Sequence, residues 1–93
     1  MINNKTLEQY INQYLNVANF SDYCPNGLQV EGKAEICNIV SGVSANQALI
    51  DQAIDEKADA LLVHHGFFWK GEDQVLTGIK KNRIKALLKN DIN

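Results

Sequence analysis

Four apolar residues, Ala60, Leu61, Leu62 and Val63, run without a polar break into two adjacent imidazoles, His64 and His65, the only histidines in the chain. Gly66, Phe67, Phe68, Trp69, Lys70 and Gly71 follow. A short run with no alternation of apolar and polar residues reads as a strand covered on both faces, the habit of parallel sheets. Such a strand needs helices around it, which confines the chain to an α/β arrangement. It also puts the two imidazoles at the strand's carboxyl end, where open α/β sheets form their ligand crevices.

The preceding residues complete a βαβ unit. Ile36 to Val43 (ICNIVSGV) is rich in β-branched residues and predicts a first strand. Ser44-Ala45-Asn46-Gln47 has capping-box spacing and opens a helix. Its buried side is Ile50, Ala53, Ile54 and Ala58, and its wet side is Asp51, Gln52, Asp55 and Glu56. Nearer the N-terminus, Thr6 and Gln9 have the same capping spacing, and Leu7, Tyr10, Ile11, Tyr14 and Leu15 form one apolar helical face. The two tyrosines read there as core or groove residues. Beyond Gly71, Leu76, Ile79, Ile84, Leu87 and Leu88 predict a third helix over 75–90, with lysines in its last turns, where the macrodipole favours them. Asp91, Ile92 and Asn93 read as the lead-in to a further strand.

Between the first helix and the first strand lies Ser21 to Gly32 (SDYCPNGLQVEG), with Pro25-Asn26-Gly27 as a turn signal. Long loops in small domains are often functional, although a plain connector accounts for this one as well. Tyr23, Asn26 and Gln29 are its candidates for reaching a cleft. Cys24 and Cys37, with twelve residues between them, make neither a CxxC pair nor a disulfide framework. Cys37 reads as a buried, inert thiol in a strand; Cys24 reads as an exposed turn residue with a minor prospect as ligand or nucleophile. Ninety-three residues, 45% hydrophobic and 22% charged, make one ordinary globular domain spanning 1–93. A net charge of -2 supplies no basic field for nucleic acid, and Lys80, Lys81, Arg83, Lys85 and Lys89 read as a solvated helix face. No apolar run approaches the ~20 residues of a membrane span and the N-terminus has no signal organisation, so the cytoplasm is the expected address.

Neutral imidazole is the commonest metal ligand. Neighbouring residues of an extended strand point to opposite sides, so two metal readings stay open. A bend at Gly66 turns both rings to one ion, or each ring serves its own ion in a dinuclear site that activates water. Both need further ligands. The plain alternative is that one imidazole hydrogen-bonds at the strand end and the other faces water. Phe67, Phe68 and Trp69 cannot share one face; they read as core or subunit-contact residues, with stacking on a heterocycle as the functional alternative. Lys70 is either solvated or a phosphate partner. The chain has no phosphate loop, dinucleotide fingerprint or nucleophile signature.

Three blocks carry a family resemblance: DYCPNGLQVEG (Asp22 to Gly32), IVSGVSANQALID (Ile39 to Asp51) and ADALLVHHGFFWKGE (Ala58 to Glu72). Together they resemble the N-terminal portion of the YbgI-type dinuclear-metal-centre proteins, the type 2 GTP cyclohydrolase I homologues. The resemblance implies an α/β fold with two divalent metal ions per full-length subunit, His64 and His65 among their ligands. It implies a toroidal homo-hexamer, and nominally a metal-dependent hydrolase opening the ring of GTP, hence a nucleotide substrate. Imidazole with carboxylate suits transition metals better than calcium. The family's other ligands, an Asp after the next strand and an HxxxE pattern near the C-terminus, fall in segments without counterpart here. Asp91 precedes that strand and is not the missing carboxylate.

The expected structure is therefore a three-layer α/β fragment with a βαβ parallel-sheet core and flanking helices, incomplete relative to the family. Apolar surface should stand exposed where the rest would pack. The expected function is a metal-binding, hydrolase-like protein with a partial site. An alternative of another class is an oligomeric scaffold or binding module with structural metals and Phe67, Phe68 and Trp69 as assembly contacts. A remnant without function is the third reading.

Overall fold

The histidine strand lies beside one parallel neighbour in the computed structural model, which describes residues 1–93. In chain order the elements are β1 (Ile2–Asn3), α1 (Asn4–Tyr14), a 3-10 turn (Val17–Asn19), β2 (Glu35–Ile36), β3 (Ile39–Ser44), α2 (Gln47–Asp55), β4 (Ala60–His65) and α3 (Gly78–Lys89). β3 and β4 pair in parallel, from Ile39–Ala60 to Ser44–His65, with α2 as the crossover. β1 and β2 form a separate two-residue antiparallel ladder, Ile2–Ile36 and Asn3–Glu35. The fold is α/β with a βαβ core and flanking helices, as the sequence leads one to expect.

The first predicted strand is broken in two. The Asp59 carboxylate, only 9% exposed as a residue, accepts the backbone N–H of Cys37 (2.9 Å) and of Asn38 (3.1 Å) on one oxygen. Its other oxygen takes the Lys33 ammonium at 2.9 Å. These bonds draw residues 37 and 38 out of strand geometry, so β2 ends before them and β3 starts after them. Cys37 is consequently exposed, not buried as its apolar neighbours suggest, while Cys24 is half-buried.

Asparagines cap the first two helices in place of the expected Thr6 and Ser44. Asn3 Oδ1 accepts from Lys5 N (2.9 Å) and Thr6 N (3.4 Å), and Asn46 Oδ1 accepts from Leu49 N at 2.9 Å. Asparagine is at least as good an N-cap as serine and better than threonine. The third helix opens at Gly78, three residues later than predicted.

The core is a single apolar layer. Ala45, Ile50, Phe67, Ile84, Leu87 and Ile92 form it, with Leu61 and Val63 of β4 packed against it. The opposite sheet face is loosely covered: Ile39 is 46% exposed, Val43 67% and Leu62 44%. Close-packed cover is thus present on one face; on the other, Ile39 and Leu62 meet a cavity lined as well by Leu7 and Ile11 of α1. Tyr10, Tyr14 and Leu15 of the α1 region are exposed too, against the core or groove reading, as are Leu76, Ile79 and Leu88. The Tyr10 and Tyr14 rings stack on each other at 6.2 Å instead. Across a cavity of about 220 Å³, Leu7 and Ile11 of α1 and Leu28 and Val30 of the long loop face β4.

The C-terminal residues behave as the predicted strand lead-in. Leu61 N donates to Asn93 O (2.7 Å) and Asn93 N donates to Asp59 O (3.0 Å), the bonding of a parallel bridge on the outer edge of β4. No helix is long and apolar enough to cross a membrane.

Candidate functional site

β4 carries His64, exposed, and His65, half-buried, at its carboxyl end. Strict strand alternation would send these rings to opposite faces. β3 and β4 keep one register to Ser44–His65, and Ala45 N then donates to His65 O at 2.9 Å. The two ring centroids nevertheless stand 4.4 Å apart, tilted by 41°. His65 Nδ1 lies 3.4 Å from Ser44 Oγ, a long hydrogen bond that leaves Nε2 unengaged. A hydrogen-bonded histidine beside a solvated one matches the plain reading of the pair; the convergence of the two rings is the part that reading does not require. No group of three or more His, Cys, Asp or Glu side chains gathers anywhere in the chain, so the site offers two metal donors.

The turn after the pair is braced from several sides. Trp69 Nε1 donates to Gly66 O (3.2 Å), and its ring lies 5.7 Å from that of His65. Phe67 is buried in the core, whereas Phe68 and Trp69 remain partly exposed, 38% and 39%. Phe68 adopts a left-handed φ of 63°, a conformation that costs a residue with a Cβ and that the surroundings must hold. Lys80 does so: its ammonium sits 5.1 Å from the Phe68 ring centroid, pairs with Glu72 at 2.9 Å and donates to Asp73 O at 3.3 Å. The Lys80 hydrogen bond holds the Glu72 carboxyl below the usual range. Lys80, grouped with the solvated lysines on spacing, is therefore a brace of this turn.

The long loop reaches the same place through Gln29. Its Oε1 accepts Phe67 N (2.7 Å); its Nε2 donates to Phe67 O (3.1 Å) and Pro25 O (2.9 Å). Glu8 of α1 in turn accepts Leu28 N at 3.1 Å. Asn26 and Gln29 line the same cavity as His64. Tyr23 and Lys70 do not; with Phe20 and Phe68 they surround a separate open depression of about 510 Å³. Spacing alone missed Ser44 and Glu8. The signal for Gln29 was Gly66, a glycine between a polar pair and an aromatic run, which marks a close approach of another group.

Known proteins with this sequence pattern agree with the fold. The chain is 61% identical over 90 residues to an Escherichia coli (strain K12) protein named "GTP cyclohydrolase 1 type 2 homolog"; the match covers 97% of this chain and 36% of the relative. A solved structure of protein ybgI, described as of unknown function, superposes with a TM-score of 0.96 at 60% identity, covering 99% of this chain and 37% of that one. A crystal structure of a Thermus thermophilus protein gives a TM-score of 0.92 at 36% identity, covering 99% and 38%. The chain thus spans little more than a third of the length of the relatives it matches. The model of the Duf34/NIF3 (NGG1p interacting factor 3) family matches residues 2–93, and the chain belongs to that family.

Proposed function

We propose that this chain supplies the histidine half of a divalent-metal site in a hydrolase-like protein, with His64 and His65 as ligands. The observation that carries the reading is the convergence of the two rings, 4.4 Å apart, at the carboxyl end of a parallel strand. The Ser44 hydroxyl at His65 Nδ1 is an outer oxygen partner that orients the ring and leaves Nε2 as the nitrogen that would hold an ion. Two donors fall short of the three protein ligands of a hydrolytic site, so the remainder come from outside these 93 residues. Both imidazoles suit a transition ion better than calcium or magnesium. A bound ion of that class supplies Lewis acidity and a lowered pKa for water; the chain's own part is to hold and orient the two rings.

A nucleotide is the proposed substrate class, supported by the name of the E. coli relative and by the partly exposed Trp69 ring beside His65, a face on which a planar base can stack. Self-association is the proposed assembly, supported by the exposed Tyr10, Tyr14, Ile39 and Val43. The test is metal content per subunit in the family-length protein bearing His64→Ala or His65→Ala. Each variant is expected to lose at least about tenfold in metal affinity with its fold intact. Unchanged metal content in both sinks the reading.

A further inference from the structure

We infer that the Gln29 side chain is the positioning group of the histidine pair: its carboxamide fixes the turn that brings the two rings together. The inference rests on the metal reading for its purpose but on geometry for its content. β4 loses its strand partner after His65, whose carbonyl accepts from Ala45 N, the residue after β3. Two residues on, both backbone groups of Phe67 are bound by one side chain, its N–H to Gln29 Oε1 (2.7 Å) and its C=O to Gln29 Nε2 (3.1 Å). The carboxamide therefore acts as a one-residue strand partner where the sheet has ended. It has one hydrogen left, and that bonds Pro25 O at 2.9 Å.

Gly66 records the same contact from the other side. A Cβ at Gly66 would lie 2.2 Å from Gln29 Oε1 and 2.9 Å from its carboxamide carbon. The φ of Gly66 is not in the left-handed region, so this glycine is required by the approach of Gln29 and not by its own backbone conformation. Gly66 also presents its carbonyl to Trp69 Nε1, which keeps the indole against His65. The support continues to α1, where Glu8 holds Leu28 N. A chain of fixed contacts thus runs from α1 through Leu28 and Gln29 to Gly66 and Phe67, the two residues directly after the pair.

The test uses the 93-residue chain with Gln29→Ala, Gly66→Ala and the double variant. Proton contacts between the two imidazole rings are read by NMR without metal, and affinity by cobalt(II) titration. Gln29→Ala is expected to abolish the ring-to-ring contacts and weaken cobalt binding about 10- to 100-fold, the usual effect of removing an outer support. Gly66→Ala is expected to do the same, and the double variant to be no worse than Gln29→Ala, because removing the carboxamide removes the clash. If Gln29→Ala does not fold, Gln29→Met keeps the stem and deletes only the polar group. Ring contacts and cobalt affinity that stay unchanged while only the melting temperature falls would overturn the inference. A parent chain that takes up no cobalt, with ring contacts still lost in Gln29→Ala, upholds the positioning role and defeats the metal reading instead.

Discussion

Asp59→Ala is expected to lower the unfolding free energy by about 2 kcal/mol, since it removes the charged acceptor of two backbone amides and a lysine. In a domain of this size that is a fall in Tm of roughly 8–16 °C. Cys37 N and Asn38 N each lose their acceptor, and Lys33 loses its partner. The loss depends on pH. The Cys37 amide foremost, then Lys33 and the Asn38 amide, hold the Asp59 carboxyl below the ordinary aspartate range. A carboxyl depressed in the folded state contributes stability above its unfolded pKa of about 4, and loses it as pH falls through the lower folded value. Urea melts of parent and variant should therefore differ most at neutral pH and converge in acid. A gap that is constant from pH 7 to pH 3 contradicts the ionised-carboxylate account.

Gly32→Ala is expected to cost roughly 3 kcal/mol by forced overpacking. Its Cβ would lie 2.3 Å from Asp91 O, 2.5 Å from Asp91 C and 2.7 Å from Ile92 C, all backbone atoms with no flexible side chain to yield. That backbone is held where it is: Lys33 N donates to Asp91 O (2.9 Å), and Gly32 N donates to Asn93 Oδ1 (2.8 Å). Asn93 Nδ2 reaches Lys33 O at 2.8 Å and Asp59 O at 3.0 Å. Displacing residues 91–93 pulls Ile92 from the core, where it is 1% exposed, and strips Asn93 from the edge of β4. The Leu61 amide, which donates to Asn93 O, should then exchange with solvent much faster than in the parent. Parent-like denaturation together with parent-like Leu61 protection would show that the segment moves freely.

What the sequence made legible follows the range of the interactions. The βαβ unit rests on local periodicity and appears as expected, as does the lead-in role of the C-terminal residues, where Asn93 bonds to the edge of β4 after a left-handed turn at Asp91. The break at Cys37 and Asn38 was not legible, because its cause, Asp59, lies more than twenty residues away and acts through a side chain. Apolar spacing marked Tyr10, Tyr14, Ile79 and Leu88 for burial, yet burial needs a partner layer, and these 93 residues build one core layer only. The histidine pair was legible as chemistry and open as geometry. Its rings converge through the orientation of two side chains at a strand end, which no residue type encodes by itself. Lys80 shows the same limit: its spacing fits a solvated face, and only the left-handed Phe68 below it reveals a brace.

The most direct measurement is a zinc titration of the 93-residue chain followed through the NMR signals of its two imidazoles. His64 and His65 should respond together, at one zinc concentration, with His65 coordinating through Nε2 and keeping its proton on Nδ1 beside Ser44. Rings that shift independently, or do not shift while zinc binds elsewhere, would contradict the metal reading.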